Sequence, residues 1–166
     1  MKKTKIATTF GASMVKDQLL YTEGVELGKF LAQKGYVIKC GGYGGLMEAI
    51  SKGAKEAGGK IIGIALEQFD QELERNQFLD EVIIAKNLYE RLKLLIENSE
   101  LFVIQKGSIG TLCELFTVWT LKYALNLNAR ICLIGYGDLK NNSLIPKERL
   151  NDIEIYDSLN AFKESF

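Results

Sequence analysis

Two stretches of the sequence share a pattern suited to holding phosphate: VIKCGGYGGLME at 37–48 and VIQKGSIGTLCE at 103–114. They align without a gap, pairing Gly41 with Gly107, Gly44 with Gly110, Leu46 with Leu112 and Glu48 with Glu114. In each, an apolar run passes into glycines and then directly into a helical pattern. The first N–H groups of a helix lack internal partners and lie at the positive end of its dipole. Glycine admits positive φ and removes the Cβ that would keep a ligand at a distance. Gly41, Gly42, Gly44 and Gly45 in the first turn, and Gly107, Ser108, Gly110 and Thr111 in the second, are therefore candidate phosphate-binding residues. Tight packing explains such a turn equally well when it occurs alone, and the repetition favours a ligand. Neither stretch is the dinucleotide fingerprint G-x-G-x-x-G or the P-loop ending G-K-[ST].

The sequence contains no histidine, which removes Ser-His and Cys-His nucleophile chemistry together with the commonest metal ligand. Chemistry must run on carboxylates, Arg, Lys, Tyr or backbone groups. Cys40, Cys113 and Cys132 are far apart and form no C-x-x-C pair, so they read as small buried hydrophobes rather than disulfide or zinc ligands. No metal and no cofactor are expected.

The elements that must position these turns alternate in type. Strand-length apolar runs fall at 5–10, 36–39, 60–65, 82–85, 101–105 and 130–134, with a seventh candidate at 153–156. Helical periods occupy 19–34, 45–57, 88–98 and 111–126, and Asp157 or Ser158 can cap a short final helix. Gly35 and Gly58 stand where helices stop. This is the pattern of β-α-β units, and it predicts an α/β, Rossmann-like, three-layer α/β/α fold with a mostly parallel sheet of six to seven strands. The charged stretch 67–80 reads as a mobile loop or a short surface helix. The helix 111–126 is apolar on most of its circumference, which predicts burial on two sides and a homodimer at least; a helix enclosed within one domain is the alternative.

The 166 residues fit one domain, 1–166, of the usual span of about 100 to 200 residues. Apolar residues make up 47% and charged residues 25%, as in ordinary globular proteins. Basic and acidic residues number 21 each, which gives no net field to gather nucleic acid. The basic start at 1–5 precedes a run too short for a signal peptide or a membrane span, so a cytoplasmic protein without membrane partners is expected.

GGYGGLMEAISKGAKEAGG at 41–59 and KGSIGTLCE at 106–114 resemble the Lonely Guy family, whose second motif reads P-G-G-x-G-T-x-x-E. FGAS at 10–13 resembles its first strand-to-helix loop, and the likeness continues through Tyr89-Glu90-Arg91 to about Ile134. The first motif is most similar to a branch containing nucleotide-binding and molybdenum-cofactor-carrier proteins. The resemblance implies a commonly dimeric Rossmann-like fold and hydrolysis of the N-glycosidic bond of nucleoside 5′-monophosphates to free base and ribose 5-phosphate. The older lysine decarboxylase label carries no weight, because nothing here resembles a pyridoxal phosphate site. By position, the family's catalytic glutamate falls on Glu114, its active-site arginine on Arg91, and its phosphate turn on Gly107, Gly110 and Thr111.

Two departures touch that turn: Lys106 replaces proline, and Ser108 replaces the second glycine. They leave a non-catalytic nucleotide or molybdenum-cofactor sensor or carrier as the alternative to a phosphoribohydrolase. A purely structural dimerisation module is a third reading. Glu114 can orient water or ribose, or merely complement the helix dipole; Arg91 can clamp phosphate or stand as an exposed charge. Ser13 can bind the ligand or cap a helix, and Tyr43 is more readily a packing residue than a base-stacking one.

Overall fold

The structure is a computed structural model that describes residues 4–166. Strands β1 (Lys5–Phe10), β2 (Tyr36–Cys40), β3 (Ile61–Leu66), β4 (Glu81–Ala85), β5 (Leu101–Ile104), β6 (Arg130–Ile134) and β7 (Glu154–Tyr156) form one sheet in the order β4-β3-β2-β1-β5-β6-β7. Every pairing is parallel. Such a sheet is covered on both faces, which is why β5 reads Leu-Phe-Val-Ile and is buried throughout.

Helices α1 (Gln18–Gln33), α2 (Leu46–Glu56) and α5 (Leu159–Glu164) cover one face. Their Leu27, Leu31, Ile50 and Phe162 pack with Ala7, Ile38 and Val103 of the sheet. Helices α3 (Leu88–Ile96) and α4 (Ile109–Leu125) cover the other, where Leu95, Leu115, Val118 and Trp119 meet Phe10, Phe102 and Ile131. The α/β/α expectation holds, and the seventh strand is present.

Element ends follow local chemistry. Asp17, Asn87 and Ser158 cap α1, α3 and α5 with side-chain oxygens that accept from Leu19, Glu90 and Ala161 N–H. Asn98 and Asn126 adopt φ of 63° and 54°. The asparagines thus mark chain reversals just past α3 and α4, and α3 stops two residues short of the expected 98. Helices α1 and α2 cross so closely that a Cβ on Gly53 would collide with the Val25 carbonyl, which fixes α2 and the turn that feeds it.

Cys40 and Cys132 are buried as expected, whereas Cys113 is exposed on α4 because its position faces away from the sheet. One side of α4 remains open: Phe116 and Tyr123 are partly exposed and border a groove of about 190 Å³ with Leu144 and Pro146. Among the described residues, no helix is long and apolar enough to cross a membrane, and no group of three or more Cys, Asp or Glu side chains is placed to hold a metal ion.

Candidate functional site

The chain reverses its direction of travel across the sheet between β1 and β5, and in open parallel sheets ligands settle at the carboxyl ends of such strands. A hollow of about 270 Å³ lies there, bordered by the turns after β1, β2 and β5. Gly41 borders it from the first glycine turn; Ser108, Gly110 and Thr111 border it from the second; Ser13 joins from the β1 turn. Arg91 and Glu114 stand in the same lining.

The two turns differ in what their amides do. At α2, the Leu46 N–H donates to the Ala12 carbonyl at 2.9 Å, and the Gly42 carbonyl accepts from Asn76 N–H at 3.0 Å. Gly42, Gly44 and Gly45 lie outside the lining. Gly45 has φ of +66°, and a Cβ there would strike the Ala12 carbonyl. This turn is tied into the protein by its own backbone.

At α4, the first N–H with a protein acceptor is that of Leu112, which donates to Ser108 O. The amides of Ile109, Gly110 and Thr111 have no acceptor among the described residues, and the Ser108 side chain makes no capping bond. A Cβ on Gly110 would meet nothing within 4 Å. This helix start is free to receive an anion. Ser108 sits at φ −102°, an extended conformation open to any residue, so replacing glycine there introduces no strain. Gly107 supports the turn from behind, close to the Thr111 hydroxyl. Lys106 lies over Gly135 rather than in the hollow.

Arg91 is buried, not an exposed charge. Its Nε donates to Ile64 O at 2.9 Å and its Nη2 to Gly41 O at 3.2 Å. Nη1 is left facing Glu114 Oε1 at 3.8 Å. The rings of Phe69 and Tyr43 lie 5.7 Å and 6.0 Å from the guanidinium carbon. Burial pushes the Glu114 carboxyl up to about 7, with Arg91 pulling in the opposite direction. A carboxyl titrating there exchanges a proton at neutral pH, the property required of an acid–base group.

The far wall was not foreseen. Phe69 and Leu73, from the charged stretch 67–80, border the hollow together with Met47. That stretch is a strap rather than a loose loop: Phe69–Gln71 forms a one-turn 3-10 helix, and Asp70 accepts from Tyr43 Oη at 3.0 Å and from both Arg75 Nε and Nη2. The signal in the sequence was Phe69 and Leu73 standing among charged and amide residues at 67–77. Tyr43 is buried, and its hydroxyl oxygen also accepts from Leu66 N–H at 2.9 Å, so it anchors the strap. Ser13 caps no helix, because Asp17 caps α1.

The sequence model of the SLOG cluster4 family matches residues 4–155. The chain belongs to the SLOG cluster4 family. The match bears out the Lonely Guy resemblance carried by the two glycine turns. The SLOG cluster4 chain is 29% identical over 116 residues to a cytokinin riboside 5′-monophosphate phosphoribohydrolase of Mycobacterium tuberculosis; the aligned part is 69% of this chain and 62% of the relative. It therefore spans less than two thirds of that relative's length. The molybdenum cofactor binding protein of Rippkaea orientalis superposes with a TM-score of 0.78 at 23% identity, covering 99% of this chain and 96% of that one. The molybdenum cofactor carrier protein of Chlamydomonas reinhardtii gives 0.77 at 21% identity, covering 98% and 96%. These likenesses establish a common fold.

Proposed function

We propose that the protein is a nucleoside 5′-monophosphate phosphoribohydrolase that splits a purine nucleotide into free base and ribose 5-phosphate. The observation that carries this reading is one hollow holding an uncapped helix start, a carboxyl titrating near neutrality and a buried guanidinium. The phosphate sits on the amides of Ile109, Gly110 and Thr111, with the Ser108 and Ser13 hydroxyls beside it. The ribose lies between that end and Arg91.

Breaking the N-glycosidic bond builds positive charge on the ribose ring. The Glu114 carboxylate stabilises that charge and takes a proton from the water that attacks the anomeric carbon. The bonding electron pair leaves with the base, which is protonated from solvent. Arg91 orients the ribose hydroxyls and holds Glu114 partly ionised at neutral pH. The M. tuberculosis relative carries the name of this reaction, which supports the reading. The half-exposed apolar side of α4, with Leu144, is the contact through which two copies form a homodimer.

Incubation with AMP and N6-substituted AMP, followed by chromatography, tests the reaction: free base and ribose 5-phosphate appear in equal amounts, and Glu114→Gln abolishes both. Stabilisation by nucleotide or molybdopterin with no base released across the panel rejects the hydrolase and selects the carrier.

A further inference from the structure

Lys39 stands next to the carboxyl end of β2, an interior strand of the sheet, and is 5% exposed. Its Nζ donates to the carbonyls of Leu94 at 2.7 Å and Glu97 at 2.6 Å, both at the end of α3. Next to it, Thr8 Oγ1 donates to Leu95 O at 2.7 Å and shares a hydrogen bond with Ser99 Oγ at 2.8 Å. Three terminal carbonyls of α3 are thus held by side chains of β1 and β2. An ammonium fits the negative end of a helix dipole, yet its burial carries a desolvation cost that an apolar side chain would avoid.

The cost has a structural return. Helix α3 has nine residues, and its buried ones are Arg91, Leu95 and Ile96. So short an apolar face permits sliding, while directional bonds fix height and rotation. Strand β2 and the turn that follows it grip α3 twice, through Lys39 at its last carbonyls and through Gly41 O on the Arg91 guanidinium.

We propose that Lys39 is a positioning residue for Arg91: by seating the end of α3 on β2, it holds the guanidinium at its working distance from Glu114. The proposal rests on the functional reading of that pair given above. Arg91 on α3 acts on Glu114 from the neighbouring element, and Glu114 in turn helps to raise the buried Cys40 thiol on β2.

The Glu114 side-chain carboxyl, followed by NMR in protein labelled with carbon-13 glutamate and assigned by its loss in Glu114→Gln, reports the distance to Arg91 without needing turnover. In Lys39→Met its titration midpoint rises by about half a unit, in the direction set by Arg91→Met. Turnover falls at least about tenfold, with KM within about twofold. Thr8→Val removes the neighbouring grip without removing a charge, and it moves the midpoint the same way by less.

An unmoved midpoint in Lys39→Met overturns the proposal. So does a shift in Lys39→Met with none in Thr8→Val, which assigns the effect to charge acting at a distance. If Lys39→Met fails to fold, Thr8→Val and Ser99→Ala decide alone. Shifted midpoints in a protein that releases no base leave the positioning standing and reject the hydrolase; base release with unmoved midpoints does the reverse.

Discussion

Arg91 Nη1 and Glu114 Oε1 lie 3.8 Å apart, close enough for each charge to act on the other and too far for a hydrogen bond. The guanidinium is held from behind by the Ile64 and Gly41 carbonyls, so it cannot close that gap without giving them up. Both charged groups keep a face toward the hollow.

The raised carboxyl has a consequence for stability. The Glu114 pKa rises from 4.5 to about 7 in the folded protein, so between these values the folded state binds more protons than the unfolded chain. Stability therefore falls as pH rises through that interval, by about 3 kcal/mol in all. Urea denaturation at pH 5 and pH 8 measures the loss, and Glu114→Gln removes most of it. The proposed hydrolysis runs the other way, rising with pH through about 7 as the carboxylate forms.

Gly110 and Gly45 occupy related turns and respond oppositely to alanine. Gly110→Ala meets open space, so the melting temperature holds or rises. The added methyl stands over the free amides and weakens ribose 5-phosphate binding, measured by calorimetry. Gly45→Ala is forced to φ of +66° against the Ala12 carbonyl and costs at least about 1 to 3 kcal/mol.

Under the proposed function, Phe69 on the wall of the hollow separates base recognition from phosphate recognition. Phe69→Ala weakens nucleoside monophosphate binding about three- to tenfold and leaves ribose 5-phosphate affinity within about twofold. Competition titrations with the two ligands make the comparison. Asp70→Ala frees the strap from Tyr43, breaks its internal pairing with Arg75, and has the same signature in smaller measure.

The proposed pairing of two copies through the open side of α4 predicts that charge placed there separates them. Phe116→Glu together with Tyr123→Glu converts the dimer to monomer by light scattering, while the circular dichroism of the fold is retained, because both side chains are partly exposed.

The strands and helices were legible because buried parallel strands are apolar throughout and their helices carry clear stops. Glu114 and the second turn were legible through a short local motif. Arg91 was legible only by resemblance; in sequence it stands among Glu90 and Lys93, and nothing local reveals that two distant carbonyls draw it inward. Phe69 and Lys39 escaped for the same reason, since their partners, the Tyr43 ring and the end of α3, meet them only after the sheet has formed. The echo between the turns suggested equal roles, but the Ala12 carbonyl, which decides between them, lies in a third loop.

The hydrogen bond from Leu46 to Ala12 divides labour between twin motifs. One copy is mortared into the interior and tolerates little revision. The other fronts solvent with an ordinary backbone at Ser108 and vacant space at Gly110. Under the proposed function, the anion-facing turn can thus be revised at Ser108 and Gly110 while the rest of the molecule's architecture stays untouched.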